Sequence, residues 1–102
     1  MTEKLFDKRE ISTEDSTIQL EYYLIEENLN DSSDIKMYGV RIVMTEIFDG
    51  KDSVRSDKWV HSMFSNSKQI EDFINLLIRN EVTPTTLECI AKEYIVDLLY
   101  VE

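Results

Sequence analysis

Glycine and proline are scarce, with two glycines and one proline in 102 residues. Two isolated glycines, Gly39 and Gly50, leave no glycine-rich phosphate loop. They also leave little material for a flexible linker, so the chain reads as one domain. There is one cysteine, Cys89, and one histidine, His61. That pair excludes an internal disulfide and a Cys- or His-rich metal centre. No apolar run approaches the roughly 20 residues of a membrane span. Met1 leads into Thr2-Glu3-Lys4 without the apolar stretch of a signal peptide, so the expected compartment is the cytoplasm.

Basic residues are the next shortage: 11 Lys and Arg face 21 Asp and Glu, a net charge of −10. The excess is uneven. Residues 1–36 carry ten acids against four bases, residues 37–66 four against four, and residues 67–102 seven against three. Such a field repels phosphate backbones and anionic membrane surfaces. No direct nucleic-acid binding and no membrane contact are therefore expected. The same field favours a basic protein partner.

What the chain does have is periodic apolar sequence, 42% of its residues being hydrophobic. Residues 1–16 are a polar N-terminal arm in which Leu5, Phe6 and Ile11 are the large apolar side chains. They form either a loose arm or a short element docked by those three. Residues 17–102 form a single α+β domain. Ile18, Leu20, Tyr22 and Leu24 alternate with Gln19, Glu21, Tyr23 and Ile25, the period-two pattern of a strand. Residues 28–36 are a polar turn. A second strand spans 37–48, with Gly39 marking a bulge or a close backbone approach. Asp49-Gly50-Lys51-Asp52 is a turn signal, and a third strand falls within 54–64. The period then becomes helical. Ile70, Phe73, Ile74, Leu77 and Ile78 share one face, with Asn66 or Ser67 as N-cap. Glu71 and Asp72 are placed near the start of this helix, where they suit its dipole. Thr83 caps a second helix with Pro84 at its first position, and Val82 staples onto Leu87. Its stripe runs on through Ile90, Ala91, Tyr94, Ile95 and Leu98, with Cys89 packing on its shoulder as a small hydrophobe. The expected fold is a three-stranded antiparallel sheet, β-β-β-α-α, with a C-terminal helical hairpin packed on one face.

Tyr22-Tyr23-Leu24-Ile25-Glu26, then Tyr38-Gly39-Val40-Arg41-Ile42, then Val82-Thr83-Pro84-Thr85-Thr86-Leu87 occur in an order that resembles a small family. It is a group of clostridial and related Gram-positive proteins known only as a domain of unknown function. The similarity covers roughly residues 20–100. It implies a bacterial cytoplasmic protein with this element order, and no activity or site.

Residues that carry chemistry are few. His61 and Cys89 read as structural side chains rather than a nucleophile pair. Glu26, Glu27, Asp31 and Asp34 lack the glycine and the spacing of a calcium loop, and basic residues interleave with Asp49, Asp52 and Asp57. No catalytic residue, metal or cofactor is expected, and the chain reads as a non-enzyme. The informative feature is the sheet face opposite the helices. With Tyr22, Ile42 and Val60 toward the helices, the other face carries Tyr23, Ile25, Arg41, Val43, Ile47, Trp59, His61 and Met63. A solvated face is mainly polar, and Trp, Tyr and Arg are enriched at binding hot spots. Either residues 1–16 fold over this face through Leu5, Phe6 and Ile11, or a second copy or another protein covers it. Tyr23, Arg41, Val43, Trp59, His61 and Met63 are the candidate partner-binding residues. The expected function is a non-enzymatic interaction or regulatory module, with a protein partner or self-association as a homodimer. The alternative is an acidic decoy that mimics nucleic acid and inhibits a nucleic-acid-binding enzyme.

Overall fold

The structure, a computed structural model, describes residues 1–28, 35–48 and 52–100. The order is β1 (Thr2–Ser12), β2 (Ser16–Asn28), β3 (Lys36–Phe48), β4 (Asp52–Phe64), α1 (Ser67–Arg79) and α2 (Pro84–Tyr100). The expected α+β class, antiparallel sheet and C-terminal helices are present. The sheet, however, has four strands, in the order β1-β2-β3-β4. The centres of the turns expected at 28–36 and 49–52 lie outside the described residues.

The additional strand is β1, built from residues read in the sequence as an arm. It pairs antiparallel with β2 from Thr2↔Glu26 to Ser12↔Thr17. Its charge hid it. Edge strands are commonly studded with charged side chains, which discourage pairing with other chains and also blur the apolar alternation. The hairpin to β2 is tied by short polar side chains. The Thr13 N–H donates to the Ser16 carbonyl at 2.9 Å, and the Ser16 N–H donates to Thr13 Oγ1 at 3.0 Å. The Ser16 hydroxyl then donates to Glu46 Oε2 on β3 at 2.9 Å.

One sheet face is covered by both helices. Leu20, Tyr22, Val40 and Ile42 are fully buried there against Ile70, Phe73, Ile74, Leu77 and Leu87, and Phe6 and Ile11 of β1 pack at the margin. Tyr22 is the one polar side chain at the centre of this core. Its hydroxyl donates to the Val82 carbonyl at 3.0 Å, joining β2 to the link between the helices. Burial pushes the Tyr22 phenol up to about 12, with the Glu81 carboxylate adding to the effect.

Asn66 is the N-cap of α1, accepting from the Lys68 N–H at 2.8 Å and the Gln69 N–H at 3.2 Å. No acidic residue lies in the first turn of α1. Glu71 and Asp72 sit one turn later, and Asp72 pairs with Lys68 at 2.9 Å. The helix ends with Glu81 in the left-handed region at φ 50°. There the Val82 N–H reaches the Leu77 carbonyl and the Glu81 N–H the Ile78 carbonyl, each at 3.0 Å. α2 starts at Pro84 as expected, and Val82 and Leu87 share the core. Its first turn is closed through the Thr83 carbonyl, which accepts from the Thr86 N–H at 3.3 Å.

Candidate functional site

The strand registers decide which residues share the helix-free face. Antiparallel partners point to the same side. Glu3↔Ile25↔Gly39 forms one row across β1, β2 and β3, and Leu5↔Tyr23↔Arg41↔Trp59 forms the next across all four strands. Glu21↔Val43↔Asp57 follows. The expected third-strand register therefore holds for Trp59, which stands opposite Arg41 and away from the helices.

This face is closed by its own side chains. Ile25 and Val43 lie outside the helix-packed core, yet are 0% and 1% exposed. Arg41 is the centre of the cover. Its Nη1 donates to Glu3 Oε1 at 2.7 Å, and its Nε and Nη2 both donate to Asp57 Oδ2, at 3.0 and 2.7 Å. The guanidinium carbon lies 4.6 Å from the Trp59 ring centroid and 5.9 Å from that of Tyr23. One cation thus links the edge strand β1 to β4 while stacking on two aromatic rings. Its hydrogen bonds hold the Asp57 carboxyl below the usual carboxylate range. The hydrogen bonds that Arg41 donates to Asp57 and Glu3 raise its own pKa further. Desolvation raises the Tyr23 phenol, helped by the hydrogen bond it donates to Glu21 at 3.1 Å.

His61 extends the cluster. Its ring stacks on Trp59 with centroids 5.2 Å apart and planes 7° from parallel. Its Nδ1 lies 2.9 Å from Glu27 Oε1. Tyr23, Arg41, Trp59 and His61 are therefore brought together at the surface. Trp59 is half-buried and His61 exposed.

Two of the six candidates are not part of this surface cluster. Val43 belongs to this face but lies beneath the cover. Met63 packs against the helix-side core instead. The reason is a break in the alternation. Tyr38 pairs with Phe64 and Val40 with Val60, so His61, Ser62 and Met63 together oppose Gly39 alone. Ser62 takes a left-handed φ of 52°, which redirects Met63 after His61. Gly39 has the role expected of it, because a β-carbon there would run into the Val60 carbonyl oxygen.

Glu3 is the site residue that sequence reading missed, and Glu27 and Asp57 were read only as members of acidic turns. A period-two reading extended through Glu3-Lys4-Leu5 was the available signal, and the charge of β1 masked it. Cys89 is exposed on α2 rather than packed, because Leu87 and Ala91 take the buried side of that helix. His61 is engaged with Glu27 and Trp59, so no His61–Cys89 pair forms. Among the described residues no group of three His, Cys, Asp or Glu side chains is placed to hold a metal ion. No helix among them is long and apolar enough to cross a membrane.

The model of a family of unknown function, DUF6514, matches residues 2–97. The chain belongs to this family. The match takes in β1, which the resemblance over residues 20–100 left out. No curated protein and no solved structure matches the chain. For this member of DUF6514 the functional reading therefore rests on its own surface.

Proposed function

We propose that this protein is a non-enzymatic interaction module, and that a protein partner docks on the surface formed by Tyr23, Arg41, Trp59 and His61. The observation that carries the reading is the organisation of that surface. Trp, Tyr and Arg are the side chains that contribute most at protein interfaces. Here Glu3, Asp57 and Glu27 hold Arg41 and His61 by hydrogen bonds. A surface already fixed in one arrangement loses less entropy on binding. The net charge of −10 supports a partner other than nucleic acid or an anionic membrane. A single cysteine suits a reducing compartment such as the cytoplasm. The decoy alternative draws on the same charge, but carboxylates lie on the second face at Glu3 and Asp57 and on the helices at Asp72 and Glu88, several paired with cations. No observation favours it.

Trp59 is the sole tryptophan, so its emission reports on this surface alone. Immobilised wild-type protein is expected to retain a partner from an extract of its own cells. Trp59→Ala, verified as folded by circular dichroism, is expected not to retain it. Titrating the purified partner should then shift Trp59 emission. Equal retention by both proteins, or an emission spectrum indifferent to the partner, would refute the reading.

A further inference from the structure

β4 is an edge strand, paired with β3 on one side. We infer that its open side pairs antiparallel with β4 of a second copy, about a twofold axis through Ser56, joining two sheets into one. This interface does not rest on the docking of a partner at Trp59, although the strand edge and that surface share Asp57 and Trp59.

The strand is self-complementary about its own midpoint. Its regular part runs from Asp52 to Val60, nine residues paired with β3 before the bulge, and Ser56 is the centre. A twofold axis normal to the sheet keeps like faces together only if it passes through a residue, because successive side chains point to opposite faces. Axes through Arg55, Asp57 or Lys58 set like charges directly opposite one another, which destabilises a strand pair. The axis through Ser56 sets Arg55 opposite Asp57 of the second copy, and the symmetry repeats the pair. Arg55 is exposed and makes no ion pair among the described residues. Asp57 already accepts from Arg41 through Oδ2 and is engaged by Trp59 of its own chain, so the incoming guanidinium adds to a carboxylate that is fixed in place.

The helix side of the strand agrees. Val54 is 57% exposed, and in this register it falls opposite Lys58 of the second copy. Beside Lys58 lies a groove of about 340 Å³ between β4 and α2, lined by Val60, Ala91 and Ile95 and by the charged Glu88 and Lys92, with Trp59 at its strand side. Val54 of each copy is therefore brought beside the Lys58 stem of the other, on the side of this groove.

The opposite edge does not match. β1 has a bulge between Leu5 and Asp7, and its Asp7 is already paired with Arg9 at 3.8 Å. The axis that would set Asp7 opposite Arg9 brings Lys8 against Lys8. β4 also carries balanced charge, Asp52 and Asp57 against Arg55 and Lys58, so the acidity of the chain is not concentrated at this edge.

Light scattering from about 10 μM to about 1 mM tests the inference, a range that covers weak and moderate dimers. Wild-type protein is expected to reach dimer mass. Arg55→Glu and Asp57→Lys each create like-charge pairs and are expected to weaken the dimer by roughly 10–100-fold. An equimolar mixture of these two variants restores both opposite-charge pairs and is expected to form the dimer again, which misfolded variants would not do. Lys8→Glu makes the same charge change as Arg55→Glu on the other edge and should leave the dimer intact. A wild-type protein that stays monomeric, an undiminished Arg55→Glu dimer, or a mixture that stays monomeric would overturn it.

Discussion

Tyr22 carries a polar atom into the centre of an apolar core, and its hydroxyl has one partner, the Val82 carbonyl. Removing it by Tyr22→Phe leaves that carbonyl unsatisfied, and the expected loss is about 1–2 kcal/mol in urea titration. The same group predicts an alkaline response. Its pKa is raised from the ordinary 10 to about 12 because burial disfavours the phenolate. The fold therefore favours the neutral phenol. The stabilisation is fully present below pH 10 and is lost as pH rises from 10 to 12, by about 2–3 kcal/mol. Stability of wild-type and Tyr22→Phe protein measured across that window should converge. Parallel profiles for the two would show that Tyr22 is not the group responsible.

At the scale of elements, the helix starts and the β4 bulge give separate tests. Asn66 accepts from two first-turn N–H groups through its side chain, whereas the first turn of α2 is closed through the Thr83 carbonyl, which any residue supplies. Asn66→Ala is expected to cost about 1 kcal/mol and Thr83→Ala less than about 0.5 kcal/mol. Thermal denaturation of the two variants checks the ranking. Gly39→Ala sets a β-carbon against backbone, the Val60 carbonyl oxygen and the Cα of His61. Neither can swing aside as a flexible side chain would, so the bulge must move. The expected cost is about 1–3 kcal/mol, accompanied by a change in Trp59 emission, since His61 is stacked on that ring. An unchanged melting temperature would show that the bulge is more pliable than its geometry implies.

Across the whole molecule, β1 binds the two faces together. Phe6 and Ile11 pack at the helix-side core, and Glu3 reaches Arg41 on the other side. Deleting residues 1–12 should therefore do more than trim a polar arm. It strips β2 of a pairing partner, leaves Arg41 with one fewer carboxylate and exposes a long new edge. The expected outcome, read by circular dichroism and light scattering, is a large fall in thermal stability with aggregation. A truncated chain that melts like the full one would show β1 to be dispensable.

The sequence by itself determined what depends on neighbours a few residues away. Period-two alternation in β2 and β3 and period 3.6 in α1 placed those elements and their core faces, since apolar spacing alone decides which side a residue takes. Pro84 and the Val82–Leu87 pair marked the second helix by local chemistry. The tertiary structure decided whatever depends on pairing. Thr2–Ser12 is a strand because β2 offers an edge for it, and the charge of its sequence masks what alternation it has. Met63 leaves the face of Trp59 because three residues of β4 must fit against Gly39 alone. Arg41 becomes the centre of a cover because Glu3 and Asp57, distant in sequence, arrive on either side of it. Alternation showed that the helix-free face needed covering. That the protein covers it with its own cation, carboxylates and rings follows from strand register, which long-range pairing sets and a single sequence does not state.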